Sequence, residues 1–412
     1  MKILYVSQYF PPEMGAPAAR AAELSRHWAR MGHDVTVLTG FPNHPTGVVP
    51  EDWRSRFHRL RYTETVDGVH VVRTWLWPLP NRKAHERILN YASFCVSAAI
   101  SGLALHKPEV IIATSPQLLC ALSGWWLAFW KRVPFVFEVR DLWPESLAAV
   151  GAGSEGTLLH RALGAIAGFL YRRADRIAVV SPAFKDHLMR SWNVPAKKIS
   201  IVENGVETDL FRLDPAAAEV RKQLKLEDRF LICYVGTMGN AHGLETLIAA
   251  AEELQRALPN AMFLLIGEGA EKERIVELAA VRGLTNIQFL GQQPRERIPA
   301  YVSAADLCLV MLKKTELFKT VIPTKLLEYM ACERAVIVAV DGQARQIVEE
   351  AGAGVFVEPE NSKALVKAII ELAEDPERRR RMGASGRQYI VNKCSREKTA
   401  RDYISVLEAL GV

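Results

Sequence analysis

Apolar positions in this chain follow two rhythms. Short runs rich in β-branched residues alternate with longer stretches in which apolar residues recur every three or four positions, the patterns of buried strands and of amphipathic helices. In the first half the runs predict strands at KILYVS (2–7), DVTVLT (34–39), GVHVVRT (68–74), EVIIATS (109–115), PFVFEVRD (134–141) and RIAVVS (176–181). In the second half they predict strands at FLICYVG (230–236), MFLLIG (262–267), IQFLG (287–291), LCLVM (307–311), AVIVAV (335–340) and GVFVE (354–358). Strand and helix alternating in this way predict parallel βαβ units, here enough of them for two doubly wound sheets. The joint falls in VENGVETDLF (202–211), where Asn204-Gly205 marks a turn. Beyond residue 360 the pattern is helical only, and no repeat of solenoid length occurs.

Two stretches complicate this picture. Residues 88–105 and 110–130 carry no charge, long enough on length alone to cross a bilayer. The second contains TSPQ after a β-like start and reads as strand, turn and helix. The first, rich in Ala, Ser and Gly, fits a helix packed on a sheet. Contact with one face of a membrane is a further reading: Trp126 and Trp130 share a helix face ending in Lys131 and Arg132, and Arg82, Lys83 and Arg87 precede the other stretch. Packing in the core is its rival.

Charge supports a surface of this kind. Residues 1–200 hold 24 Lys+Arg against 15 Asp+Glu, a balance of +9, while residues 201–412 hold 28 against 31, a balance of −3. All nine tryptophans lie in the first part. A basic, Trp-rich half suits an anionic surface; nucleic acid is not expected as a partner, because no helix-turn-helix, zinc-finger or RNP-like pattern accompanies the charge. The six cysteines are scattered without a C-x-x-C pair, which points away from zinc and disulfides and toward a reducing compartment. The first apolar run is too short for a signal peptide, so a cytoplasmic location is expected. At 412 residues two or three domains are expected at about 150 residues each.

In open parallel sheets ligands gather at the carboxyl ends of strands, and the loops there hold the candidate chemistry. YVGTMGNAHGLETL passes through Gly236, Gly239 and Gly243 into a helix. Such a backbone can approach a phosphate, or its glycines can simply permit a turn; both readings stand. SQYFPPEMGAP, with Gly15, is a second such loop, and neither matches G-x-G-x-x-G. IPTKLLEYM (322–330) opens a helix with proline and places Lys325 in the first turn, where a cation costs roughly 0.3–1 kcal/mol unless an anion binds there. Glu328, three residues on, shares that helix face, so the alternative is a helix-surface ion pair. The Arg378 to Arg381 run reads as a solvated helix face. No D-x-D metal signature occurs.

In their order, KILYVSQYFPPEMGAPAAR, FPNHPTG (41–47), FEVRDLWPES (137–146), ENGVETDLF, YVGTMGNAHGLETLI, LLIGEG, FLGQ and FKTVIPTKLLEYMA resemble the family 4 retaining glycosyltransferases of GT-B fold. More narrowly they resemble the bacterial members that build O-antigen, capsule and colanic-acid-like polysaccharides, including L-fucosamine transferases. The resemblance covers nearly the whole chain. It implies an α/β architecture of two Rossmann-like doubly wound parallel-sheet domains facing a central cleft. Residues 1–204 would bind the acceptor and 205–391 the nucleotide sugar, with a C-terminal helix from about 392–412 crossing back to the first domain.

The resemblance also implies roles. Glu328 would accept hydrogen bonds from the ribose hydroxyls, and Lys325 and the amides around Val321 and Ile322 would lie near the diphosphate and sugar. Donor contacts extend to Gly15, Gly236, Thr237, Gly239, His242, Lys319 and Thr320, with the base met by backbone near Gly291, Gln292 and Gln293. Attack on the donor's front face, with the departing phosphate taking the acceptor's proton, requires no dedicated nucleophile and, in this family, no metal or other cofactor. Asp141, beside Arg140 and Glu145, would orient donor sugar and acceptor, or else serve as an N-cap or a partner of Arg140. Asn43 and His44 complete the acceptor side. The chain departs from the family at Thr320, where many members have a second glutamate, and at Thr237 and His242, where many have Arg and Lys. Those departures shift the phosphate's charge onto Lys325, with Lys319 in reserve; His242 would be a neutral donor or a solvated loop residue. The expected reaction moves a sugar, for instance a UDP-activated 6-deoxy amino sugar such as L-FucNAc, onto a polyprenyl-linked saccharide at the inner face of the cell membrane. A UDP-sugar 2-epimerase and a non-catalytic nucleotide-sugar-binding partner are the rivals.

Overall fold

The computed structural model describes residues 1–44, 46–80, 84–146 and 157–411. The chain divides into two compact units, one of residues 1–203 with 396–412 and one of residues 204–395.

The first unit runs β1 (Lys2–Val6), α1 (Ala16–Arg30), β2 (Asp34–Gly40), α2 (Glu51–Phe57), β3 (Arg61–Val66), β4 (Val69–Thr74), α3 (Ala84–Leu103), β5 (Val110–Thr114), α4 (Leu118–Lys131), β6 (Phe135–Val139), α5 (Leu158–Arg173), β7 (Arg176–Val179), α6 (Pro182–Trp192) and β8 (Ile199–Ile201). Its sheet has the order β3-β4-β2-β1-β5-β6-β7-β8. β5 and β6 are buried at every position, as strands covered on both faces must be. β3 alternates exposed and half-buried residues and pairs antiparallel with β4. The sequence reading did not include this edge strand, because RYTETV is too polar to stand out. Asp67 and Gly68 turn between the two strands, both with positive φ, 51° and 81°, the I′ geometry that Asp-Gly favours.

The second unit runs α7 (Ala217–Leu224), β9 (Phe230–Val235), α8 (Leu244–Ala257), β10 (Ala261–Ile266), α9 (Lys272–Val281), β11 (Ile287–Gly291), α10 (Ile298–Ala304), β12 (Leu307–Met311), α11 (Thr324–Ala331), β13 (Val336–Ala339), α12 (Gln343–Ala351), β14 (Gly354–Phe356), α13 (Ser362–Glu374) and α14 (Pro376–Lys393). Its sheet, in the order β11-β10-β9-β12-β13-β14, is parallel throughout. Ile232, Tyr234, Phe263, Leu265, Leu307 and Leu309 on these strands pack with Leu247, Leu254 and Ile369 on the helices into one core. In the Arg378–Arg381 run, Arg379 is not a solvated side chain: its guanidinium lies 4.9 Å from the Phe230 ring.

The chain then returns to the first unit. α15 (Arg396–Glu408), which starts a few residues later than the expected 392, packs on α1. There the Trp28 indole N–H donates to the Ala400 carbonyl at 3.1 Å, and its ring meets Tyr403 edge-on at 5.3 Å. Arg396 and Glu23 form a buried ion pair at 2.8 Å.

Of the two uncharged stretches, 110–130 is β5, a turn and α4, and 88–105 lies almost wholly in α3. No helix among the described residues is long and apolar enough to cross a membrane. In each sheet the winding reverses beside the unit's first strand, between β1 and β5 and between β9 and β12. A ligand crevice forms at such switch points.

Candidate functional site

In the second unit the loops after β9, β10 and β11 are laddered by backbone hydrogen bonds. Gly236 N–H donates to Ile266 O (2.8 Å), Met238 N–H to Glu268 O (2.9 Å) and Gly267 N–H to Gly291 O (2.9 Å). The spacing leaves no room for side chains. A Cβ on Gly267, which has φ +143°, would stand 2.1 Å from the Gly236 carbonyl oxygen. Three strand ends thus present bare backbone along one edge, with Thr237 exposed and its carbonyl held by the Tyr234 hydroxyl at 2.7 Å.

The loop after β12 supplies the charge. Lys319, Thr320, Val321 and Ile322 lead to Pro323, which precedes α11. The Lys325 side chain runs from α11 to β9, where its Nζ lies 3.9 Å from the Tyr234 ring centroid. A Cβ on Gly236 would come within 2.5 Å of that Nζ. The Nζ is buried and has no hydrogen-bond partner. Burial drives its pKa down to about 7, with Glu328 and Cys233 pulling weakly the other way.

Lys325 and Glu328 form no ion pair, because the carboxylate instead takes Arg295 Nη1 at 3.0 Å, and Arg295 itself lies over the Phe211 ring. Arg295 was not anticipated, since its partner is 33 residues away. The Val321 amide is used inside its turn, donating to Phe318 O. Lys319 is held by Glu316 at 2.7 Å, and the Thr320 hydroxyl donates to Leu317 O. His242 is half-buried rather than solvated, and burial depresses its pKa to about 3. It is therefore neutral, and its Nδ1 lies 3.3 Å from Gly239 O, which assigns the proton to Nδ1 because a carbonyl only accepts. Gln292 is exposed, while the Gln293 amide donates to Leu290 O and accepts from Tyr301.

In the first unit the loop beginning at residue 41 is tied to the loop after β1 by a residue the sequence reading passed over. Glu13 Oε1 accepts from both the Asn43 and the His44 backbone N–H at 2.9 Å. Glu13 Oε2 is buried without a partner, and burial raises the carboxyl to about 7 despite those two bonds. Burial likewise lowers His44 to about 4; its ring lies 4.8 Å from Tyr9. Gly15, with φ +131°, caps α1.

At the carboxyl end of β6, Ser115 Oγ accepts from the Arg140 backbone N–H at 2.7 Å and from that of Asp141 at 3.3 Å. Arg140 Nε and Nη1 are buried without partners, so Asp141 does not hold them, and burial raises Asp141 to about 6. Behind them, Arg20 and Glu138 form a buried pair at 2.9 Å. Glu145 points elsewhere: burial would raise its pKa, but His187 at 3.0 Å and Trp192 at 3.1 Å hold it below the usual range.

Among the candidate membrane contacts, Arg82 and Lys83 lie outside the described residues, and Arg87 is half-buried on α3. Lys131 is committed elsewhere, since its Nζ donates to the Leu103 and Leu105 carbonyls at 3.1 and 2.7 Å. Arg132 is exposed. Trp126 and Trp130 are 38% and 56% exposed, beside Phe129 at 62%. α3 adds a stripe that the sequence did not single out: Ile88, Leu89, Val96, Ile100 and Leu103 are all exposed, Ile100 to 66%.

The chain matches two family models, "Glycosyl transferase 4-like domain" over residues 15–205 and "Glycosyl transferases group 1" over residues 216–389. It is 27% identical to WcaI of Escherichia coli (strain K12), named for glycosyl transfer in colanic acid biosynthesis, across 98% of this chain and 99% of that one. Among solved structures it is similar to sucrose-phosphate synthase from Thermosynechococcus elongatus, with a TM-score of 0.79, 22% identity and coverage of 99% and 98% of the two chains. It is also similar to HepE from Anabaena in complex with UDP-glucose, with a TM-score of 0.74, 17% identity and coverage of 99% and 100%. With a glycosyl transferase 4-like domain followed by a group 1 domain, each built on a largely parallel sheet, the chain is a glycosyltransferase of GT-B fold.

Proposed function

We propose that this glycosyltransferase is a retaining, metal-independent enzyme that uses a nucleotide-diphosphate sugar. The observation that carries the reading is Lys325, a buried amine without an acceptor beside the glycine backbone of Gly236. An anion at that place supplies what the amine lacks. The charge that grows on a leaving diphosphate is then met by Lys325 and by backbone N–H groups, in a site where such groups need no reorganisation. Glu328 takes the ribose hydroxyls on the part of its carboxylate not used by Arg295, which two oxygens with about four lone pairs allow. Metal independence rests on the absence of D-x-D.

The donor we favour is UDP-linked, a 6-deoxy amino sugar such as L-FucNAc, and the acceptor a lipid-linked saccharide of a surface polysaccharide. The colanic acid relative supports the pathway class, and the neighbour holding UDP-glucose supports the nucleotide. Asp141 and Arg140, with Asn43 and His44, serve the acceptor side. Glu145, turned toward His187, takes no direct part. The enzyme works at the inner face of the membrane, in contact with it through Trp126, Phe129, Trp130 and the α3 stripe.

A panel of nucleotide sugars should yield at least one that raises the melting temperature and is slowly hydrolysed in excess EDTA. Glu328→Ala should weaken that donor's binding. Loss of hydrolysis in EDTA with recovery in magnesium or manganese would refute metal independence, and wild-type affinity in Glu328→Ala would refute the ribose assignment.

A further inference from the structure

We propose that Lys325 is stored as an uncharged amine against Tyr234 in the empty site and becomes an ammonium as a diphosphate enters, so that donor binding takes up a proton and nucleotide release returns it. The inference rests on the donor-site reading above and adds a property that reading does not require.

The geometry comes first. An ammonium has three donors and no acceptor capacity, and burying it without acceptors is strongly unfavourable. Lys325 Nζ is buried and makes no hydrogen bond; it lies over the face of Tyr234, 3.9 Å from the ring centroid, and beside Gly236, where a Cβ would come within 2.5 Å of it. A cation over a desolvated ring gains less than that cost. Losing the proton removes the cost.

Nor do the surrounding groups hold the charge. On β9, burial pushes the Cys233 thiol up to about 12 and the Tyr234 phenol higher still, so both are neutral. On the turn before α8, His242 is neutral. From the loop after β12, Lys313 Nζ donates to Asn240 Oδ1. On α11 itself, Tyr329 is neutral, its hydroxyl donating to the Val235 carbonyl at 3.1 Å. The Glu328 carboxylate acts on Lys325, but Arg295 already meets it. A diphosphate changes this balance by placing negative oxygens against the amine.

The sign follows. In the empty site the amine titrates near 7, and an adjacent diphosphate returns it toward the ordinary lysine range near 10.4. Between those values the complex holds a proton that the empty protein lacks. Affinity therefore falls as pH rises through 7, approaching about tenfold per pH unit above pH 8. The second ionisation of a phosphate lies near 6, so the diphosphate's own charge changes little there.

Isothermal titration of the full-length protein with UDP, GDP and dTDP at pH 8.5, in two buffers of different ionisation enthalpy, measures the proton directly. The nucleotide that binds is expected to take up close to one proton, and its Kd to rise about tenfold from pH 7.5 to 8.5. Lys325→Met should bind that nucleotide roughly tenfold or more weakly at pH 7, with no proton uptake and a flat pH profile. Nucleotide binding to the wild-type protein without proton uptake, and with a flat profile, overturns this inference and leaves the donor site standing. Failure of all three nucleotides to bind overturns both.

Discussion

Lys325 was conspicuous in the sequence because a lysine in the first turn of a helix is locally unfavourable, and a local violation often marks a functional residue. Its partners were not legible. The Tyr234 ring, the Arg295 guanidinium and the Gly236 backbone reach it or Glu328 only through the fold. Glu13 shows the same limit more sharply, since nothing local distinguishes a glutamate in a proline-rich loop, and its role depends on two amides some thirty residues on. The Glu13 pKa in the folded protein, about 7, exceeds its ordinary value. The folded state therefore holds a proton that the unfolded chain has lost, and stability falls as pH rises from about 4.5 to 7. Glu13→Gln keeps an oxygen for the Asn43 and His44 amides and has no such titration. Its melting temperature relative to wild type should accordingly improve between pH 5 and pH 8. Parallel melting profiles for the two proteins would show that Glu13 is not the group responsible.

At the scale of elements, the strands were legible because a strand buried on both faces must be a continuous apolar run. The surface character of α3 was not, because an apolar helix reads the same whether its outer face meets a sheet, a partner or a lipid. α3 and α4 pack closely, with Gly102 leaving room for Leu127. The remaining faces expose Val96, Ile100, Trp126, Phe129 and Trp130. Burying each large apolar side chain contributes about 1.5–3 kcal/mol, whereas each basic residue near an anionic leaflet contributes about 1 kcal/mol. With Lys131 engaged by carbonyls, the apolar term should dominate. Vesicles containing anionic lipid are therefore expected to sediment the protein, and salt to release only part of it. Serine at Ile100, Trp126, Phe129 and Trp130 together should abolish sedimentation while sparing donor hydrolysis. Equal recovery of wild type and variant in the supernatant would rule out this face.

For the whole molecule, the turn at Asn204 marks the first joint in the sequence, whereas the second crossing at residue 395 carries no turn signature of its own: the family resemblance implies it near 392, and α15 packs on α1 from Arg396. The core of residues 204–395 is drawn from that segment alone, whereas Trp28 and Tyr5 share theirs with Tyr403, Ile404 and Leu407. Expressed alone, residues 204–395 should unfold cooperatively by circular dichroism. Residues 1–203 should do so only when 396–412 are supplied as a peptide or fused on, and cooperative melting of 1–203 by itself would contradict this. The same connectivity sets an order during synthesis. A ribosome releases residues 204–395 as an unbroken segment able to close its own sheet, while the half made first waits, with Trp28 uncovered, for the helix made last. Holding factors that shield apolar surface on nascent chains should therefore engage the amino-terminal half longest.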